Sequence, residues 1–191
     1  KARYGHVEDI RKCISCNIGC VGNRIGGNKP LRCTVNPDLI NGEAYKKQKV
    51  NKPCNVVVVG AGTAGLEAAC TAAEVGCNVT LLEKQDHIGG LSVEISRIPA
   101  KKRLADFPTY LKHRAEGLSN LTIKTGVDVT VDMIKSYDPD LVVNSTGSVP
   151  LLPPIEGLHE NLGKEGTGVY GIKDLMGDIP AFDKDMTGKK V

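Results

Sequence analysis

The stretch Asn55-Val56-Val57-Val58-Val59-Gly60-Ala61-Gly62-Thr63-Ala64-Gly65 decides the fold. A run of valines that ends abruptly at glycine reads as a strand buried on both faces of a parallel sheet, because it has β-branched side chains and no polar face. The G-x-G-x-x-G that follows at once is the turn that cradles phosphates between a first strand and a first helix. Gly60 allows the tight exit from the strand. Gly62 lacks the Cβ that would keep a pyrophosphate off the backbone, and Gly65 lets the helix pack close to the sheet. The alanine-rich stretch from Leu66 to Val75 is that helix, ended by Gly76. Its N-terminal partial charge suits an anion.

Working outward, Asn78-Val79-Thr80-Leu81-Leu82 forms a second strand with Glu83 at its end, about 20 residues beyond the glycine turn. A carboxylate there accepts hydrogen bonds from ribose hydroxyls and repels a 2′-phosphate. A helix is expected from about Lys102 to Glu116, a third strand over Leu121-Thr122-Ile123-Lys124, and a fourth over Asp140-Leu141-Val142-Val143-Asn144. Beyond Pro150 the core signals fade. The expected fold class is α/β, a Rossmann-like FAD/NAD(P)-binding parallel sheet with helices on both faces. Both FAD and NAD use this fingerprint. FAD is favoured by Gly89-Gly90, a second place for close backbone approach to a long cofactor, and by the apolar strand that runs into Ser145-Thr146-Gly147. His87, beside the glycine pair, reads as a surface loop residue.

Upstream, Cys13, Cys16, Cys20 and Cys33 form a C-x2-C-x3-C-x12-C pattern. Four thiolates close a shell around an iron–sulfur cluster or a zinc ion. The compact first three and the lack of histidine between Cys13 and Cys33 favour the cluster, with zinc as the alternative. Residues 1–48 show little periodicity. Val7 to Arg11 reads as the tail of a helix, and the rest as glycine-rich loop that draws folding energy from a metal. A lysine-rich connector leads to a boundary at Pro53. Of the other cysteines, Cys70 reads as a small buried hydrophobe. A Cys70–Cys77 redox pair is disfavoured by its C-x6-C spacing.

Composition narrows the function. The chain has 191 residues, 40% hydrophobic and 25% charged, with a net charge of +3. That charge is too small to argue for nucleic acid, and no apolar run approaches the length of a membrane span. Seven cysteines in this spacing suggest a reducing compartment and a cytoplasmic location. The start at Lys1 and the ending Gly188-Lys189-Lys190-Val191 read as a piece of a longer protein.

These motifs together resemble the multidomain NADH:flavin oxidoreductases: 2,4-dienoyl-CoA reductase, trimethylamine dehydrogenase and the clostridial-type enoate reductases. The resemblance covers about Asp9 to Leu158 and rests on the cysteine quartet, Asn36-Pro37 and Val59-Gly60-Ala61-Gly62-Thr63-Ala64-Gly65-Leu66. It implies an FMN barrel first, then a [4Fe–4S] segment, then an FAD domain interrupted by an NAD(P)-binding domain. On that pattern residues 1–48 are barrel exit and cluster segment. Residues 53–158 are the first portion of the FAD domain, and 159–191 lead toward the NAD(P)-binding domain. Cys13, Cys16, Cys20 and Cys33 match cluster ligands. Gly60, Gly62, Ala64, Gly65, Glu83, Lys84, Gly89 and Gly90 match the ADP side of FAD, Val127 the adenine contact, and Thr146 with Gly147 the pyrophosphate flank. Thr63 stands where proline is usual, and Lys101 lies in a stretch that departs from the family's Pro-Gly-Arg-like pattern at a phosphate contact.

The implied function is an electron relay, from NAD(P)H-reduced FAD through the cluster to FMN, for reduction of activated C=C bonds. The partners implied are the barrel and the NAD(P)-binding domain of the same polypeptide, with neither nucleic acid nor membrane. The alternatives are a zinc-stabilised nucleotide-binding module and a fragment of a simple NAD-dependent dehydrogenase.

Overall fold

The structure is a computed structural model that describes residues 2–177. The expected approach to a further strand at Gly188-Lys189-Lys190-Val191 lies outside the described residues. The first part of the chain begins with a 3-10 turn at Ala2–Tyr4. Val7 to Arg11 is turn and bend, not the expected helix tail. The chain is drawn out there because Arg11 reaches across to Val35 O (2.9 Å) and lies over the Tyr110 ring, 5.1 Å from its centroid.

Where a glycine-rich loop was expected, Ile18–Gly26 winds as a π-helix. It opens with Asn17 in the left-handed region (φ 55°) and a hydrogen bond from Gly22 N–H to Asn17 O. This wide turn lets Gly19 meet the returning chain, where Arg32 N–H donates to Gly19 O at 2.8 Å. A side chain at position 19 would strike the Arg32 backbone. A kinked turn, α1 (Asp38–Asn41), and a 3-10 turn at Gly42–Tyr45 close the segment.

The elements that follow are β1 (Asn55–Val59), α2 (Thr63–Val75), β2 (Asn78–Leu82) and α3 (Leu91–Ser96). A 3-10 stretch at Pro99–Ala105 then leads into α4 (Asp106–Glu116), β3 (Leu121–Lys124), α5 (Val131–Ser136) and β4 (Leu141–Asn144). The four strands form one parallel sheet in the order β3-β2-β1-β4. The α/β parallel-sheet class is as expected from the sequence. The core lies between one sheet face and the α2–α4 pair. Val56, Val58, Val79 and Leu81 meet Leu66, Ala69, Ala73 and Leu111, and Leu121, Ile123 and Val143 pack at the margin. Val57 is buried on the opposite face, so β1 is covered on both sides as its valine run required. Tyr137, which follows α5, lies under the Lys124 ammonium of β3, with its hydroxyl 3.1 Å from Nζ.

Several boundaries move. The expected helix from Lys102 begins at Asp106, because Pro99 starts a separate 3-10 turn with Lys101 N–H on Ile98 O. Asp140 is not the first strand residue. It clamps Asn55 instead, accepting from Asn55 N–H through its side chain and donating its own N–H to Asn55 O. The helices α3 and α5 were not anticipated. Each has six residues and no buried side chain, so neither leaves an apolar period to read; α5 is marked only by the Thr130 cap on Met133 N–H. Beyond Pro150 two short helices follow, α6 (Leu158–Asn161) and α7 (Ile172–Gly177), and Met176 is buried despite the fading pattern. No described helix is long and apolar enough to cross a membrane.

Cys70 is fully buried, as expected, with Sγ toward Leu111 O, and burial pushes its thiol up to about 11. Cys77 does not face Cys70; its sulfur lies 3.0 Å from that of Cys54.

Candidate cofactor sites

The carboxyl ends of the strands gather most of the residues singled out in the sequence. β4 runs into Ser145, whose N–H donates to Val59 O. Gly60 (φ 97°) turns out of β1 directly beneath the Ser145 carbonyl, leaving no room for a side chain. Gly62 caps α2 in an extended conformation, and a Cβ built on it would meet nothing within 4 Å, so the space over the first turn of α2 is open. Gly89 joins from the next loop, with its N–H on Ala61 O and a parallel bridge to Gly62. Gly90, at φ 55°, comes so close that a Cβ on it would lie 3.1 Å from Gly62 Cα. Thr63 and Ala64 open α2 beside this cradle, and Gly65 is buried against Gly60.

Glu83 stands at the end of β2. Its Oε2 accepts from Ala61 N–H (2.6 Å) and its Oε1 from Gln85 N–H (2.8 Å). Each oxygen keeps a second lone pair for a ribose hydroxyl. Val127 sits alongside, donating its N–H to Glu83 O, while Gly126 donates to Gln85 O. Lys84 is exposed and pairs with Asp128 at 3.3 Å. At the other side of the cradle Thr146 is fixed by Asn144 Oδ1, and Gly147 follows at φ 79°. Lys101 lies on the exposed 3-10 stretch. His87 is half-buried rather than a plain surface residue. Nδ1 faces Asp86 Oδ1 at 2.7 Å and Nε2 is buried without a partner. The open cradle, the helix N-terminus and the free lone pairs of Glu83 together fit a dinucleotide.

In the cysteine segment the backbone ties the chain near Cys33 to the chain near Cys16 and Cys20. Cys16 Sγ lies 3.2 Å from the Oγ1 of Thr34, which follows Cys33, and Arg32 N–H, just before Cys33, donates to the carbonyl of Gly19, just before Cys20. Cys13 Sγ accepts from Ser15 N–H at 3.3 Å. The Thr34 hydroxyl, then the backbone around Ile18, lower the Cys16 thiol below its ordinary range, which favours the thiolate a metal needs. Among the described residues, the ligand atoms gathered within 4.8 Å of one another are those of Glu8, Asp9 and His113, not three of these thiols. Sulfurs around one tetrahedral zinc sit about 3.8 Å apart, given Zn–S bonds near 2.3 Å. Among the described residues no three of these thiols stand at that spacing, and four thiols are a donor set for a cluster or for zinc.

The sequence reading missed the residues that join the two sites. Arg11 pairs with Glu67 of α2 (3.6 Å), holds Val35 O and lies over Tyr110 of α4. Arg103 donates to Ser15 Oγ at 2.8 Å, inside the cysteine motif. Arg114 of α4 binds Glu67 and Glu74 of α2, and Lys47 and Lys49 of the connector also bind Glu74. Lys47 and Lys49 thus tie the connector to α2. Burial alone would raise the Glu74 carboxyl, but hydrogen bonds from Arg114 and Lys47 outweigh it and bring it to about 2. The one available signal was helical spacing. Glu67, Thr71 and Glu74 share one face of α2, where a cation is required opposite.

A family profile described as pyridine nucleotide-disulphide oxidoreductase matches residues 20–150. The chain is 40% identical over 188 residues to an NADH oxidase of Thermoanaerobacter brockii, covering 97% of this chain and 28% of that protein. It is 32% identical over 187 residues to a cinnamate reductase of Clostridium sporogenes, covering 96% and 25%. Among solved structures, a 2-naphthoyl-CoA reductase in complex with 2-naphthoyl-CoA superposes with a TM-score of 0.80 at 32% identity, over 96% of this chain and 26% of that one. The chain thus spans about a quarter of the length of the relatives it matches.

Proposed function

From its membership of the pyridine nucleotide-disulphide oxidoreductase family, to which this chain belongs, we propose that it is the electron-relay portion of a flavin-dependent NAD(P)H oxidoreductase that reduces activated C=C bonds. Relatives named as an NADH oxidase, a cinnamate reductase and a 2-naphthoyl-CoA reductase support that class of chemistry. When held by these residues, FAD would supply chemistry that exchanges two electrons for single ones, and a [4Fe–4S] cluster would supply one-electron transfer toward an FMN in a barrel elsewhere in the polypeptide.

The chain's own residues would act as follows. Gly60, Gly62 and the first turn of α2 receive the pyrophosphate, with Gly89 and Gly90 closing against them. Glu83 orients the ribose, and Val127 borders the adenine. Thr146 and Gly147 flank the phosphates from β4. Cys13, Cys16, Cys20 and Cys33 hold the cluster, with Thr34 tuning the Cys16 sulfur. The observation that carries the reading is physical coupling. Arg11 and Arg103 bind the cysteine loop to the sheet unit that bears the cradle, which supports placing the two cofactors near each other.

The test is to reconstitute the chain anaerobically with iron, sulfide and FAD, desalt it, and record what stays bound. The reading expects flavin, together with a broad visible absorbance that bleaches with dithionite. A colourless chain holding one zinc and no flavin would replace it with the nucleotide-binding module.

A further inference from the structure

At the amino ends of the two inner strands, opposite the glycine cradle, two thiols that the electron relay does not use stand side by side. β1 and β2 are parallel partners with Asn55 level with Asn78, and Asn78 N–H donates to Cys54 O at 2.8 Å. Cys54 and Cys77 are therefore lateral neighbours one residue before the strands begin. Adjacent strands run about 4.8 Å apart, which lies inside the span of Cα separations that a disulfide bridges. Residues level in a parallel pair project to the same face. The two sulfurs are 3.0 Å apart, about 1 Å beyond a bond length.

We infer that Cys54 and Cys77 form a reversible disulfide, made by exchange with a low-molecular-weight disulfide of the glutathione class. This does not rest on the function proposed above. The backbone on both sides is already set. Cys77 N–H donates to Ala72 O, and Asn120 Nδ2 holds the carbonyls of Ala73 and Cys77 at 2.8 and 2.7 Å. Bond formation therefore needs only rotation about the side-chain torsions. Cys54 is the more accessible of the two, being half-buried where Cys77 is buried.

The balance is simple. The Cys54 thiolate attacks one sulfur of the oxidised small thiol, breaking its S–S bond and releasing one thiol. Cys77, giving up its proton, then displaces the second from the mixed disulfide. Two protein S–H bonds are lost and one S–S bond is gained, and both electrons and both protons leave on two small thiols. The product would staple β1 to β2 at their amino ends, where the connector enters the sheet, away from the glycine cradle at the carboxyl ends. It is thus a covalent clamp on the fold, not a carrier of electrons to a flavin.

The test equilibrates the full 191-residue chain with oxidised and reduced glutathione at several ratios, quenches it in denaturant with iodoacetamide, and digests it with trypsin and glutamyl endopeptidase. Cleavage after Lys49, Glu67, Glu74 and Glu83 puts Cys54, Cys70 and Cys77 in separate peptides, 50–67, 68–74 and 75–83. The expected product is the linked pair of 50–67 and 75–83, two hydrogens lighter than their sum and lost on adding dithiothreitol, with Cys70 alkylated. The oxidised chain should also unfold at a higher temperature than the reduced one. In a Cys54→Ser variant the linked peptide disappears, Cys77 is recovered alkylated, and the rise in unfolding temperature is lost. Glutathione left singly on Cys54, or Cys77 linked to Cys70, or no linked peptide at any ratio would overturn the assignment.

Discussion

Two regions of this chain are ordered by different means. The sheet unit from Asn55 to Asn144 has a continuous apolar core of Val56, Val58, Leu66, Leu81 and Leu111, all 2% exposed or less. The cysteine loop before it buries little beyond Val35 and leaves Ile18, Val21 and Ile25 facing solvent. Burial at about 25 cal/mol per Å2 can support the first region and not the second. The loop is shaped instead by hydrogen bonds, by left-handed turns at Ser15 and Asn17, and by two arginines reaching it from or toward the sheet. The function proposed for it would add what its composition lacks, a centre for four sulfurs. The difference teaches that a chain can join a scaffold ordered by its apolar core to a segment ordered by polar ties, to which a bound metal would add.

The comparison can be broken from the scaffold side. Gly65→Val should have the largest effect, because any side chain there collides with the Gly60 carbonyl and Ser145. A loss above about 4 kcal/mol is expected, seen as insoluble or unfolded protein by circular dichroism. A folded variant would mean that the α2–β1 contact is looser than described. Next, Arg114→Met leaves Glu67 and Glu74 half-buried without their main cation. Denaturant unfolding should report a loss of about 3 kcal/mol, and an unchanged midpoint would remove this network as the tie between α2 and α4.

The Glu74 carboxylate sharpens the same point through pH. Its folded value of about 2 lies below its ordinary 4.5, so the folded state favours the charged form. Its contribution is complete above about pH 4.5 and is lost as pH falls toward 2. Stability measured from pH 6 downward should drop by about 2 kcal/mol from this group, a figure already reduced for solvent screening. A Glu74→Gln variant should show a correspondingly shallower acid slope. From the loop side, Arg11→Ala should cost about 1 kcal/mol in overall stability while markedly lowering the iron retained after reconstitution. Equal iron retention would show that the loop does not depend on the sheet.

Much of the scaffold was legible because its signals are redundant. The valine run, the glycine turn, Gly76 and Glu83 each point to the same parallel unit, and β1, β2 and β3 begin and end where the sequence placed them. The short helices α3 and α5 bury no side chain and left no period to detect. The π-helix was hidden because Gly19 serves a close approach to Arg32, which only tertiary structure reveals. The glycines that converge at the strand ends could be picked out in the sequence, since their role depends on missing side chains at fixed spacing. The arginine ties could not, because Arg11 and Arg114 act on partners more than 20 residues away. The Cys54–Cys77 contact did leave a trace in the repeated triplets Cys54-Asn55-Val56 and Cys77-Asn78-Val79. Two strands that start alike and pair in register set their cysteines level.

The central claim is that the four-cysteine loop carries an iron–sulfur cluster next to the nucleotide cradle. Its most direct test is electron paramagnetic resonance of the anaerobically reconstituted, dithionite-reduced chain, read beside its iron and sulfide content. The account predicts about four iron and four sulfide per chain, with a reduced-cluster signal that Cys16→Ser abolishes while circular dichroism of the sheet is unchanged. A silent spectrum with one zinc bound, or a signal that survives loss of Cys16, would contradict it.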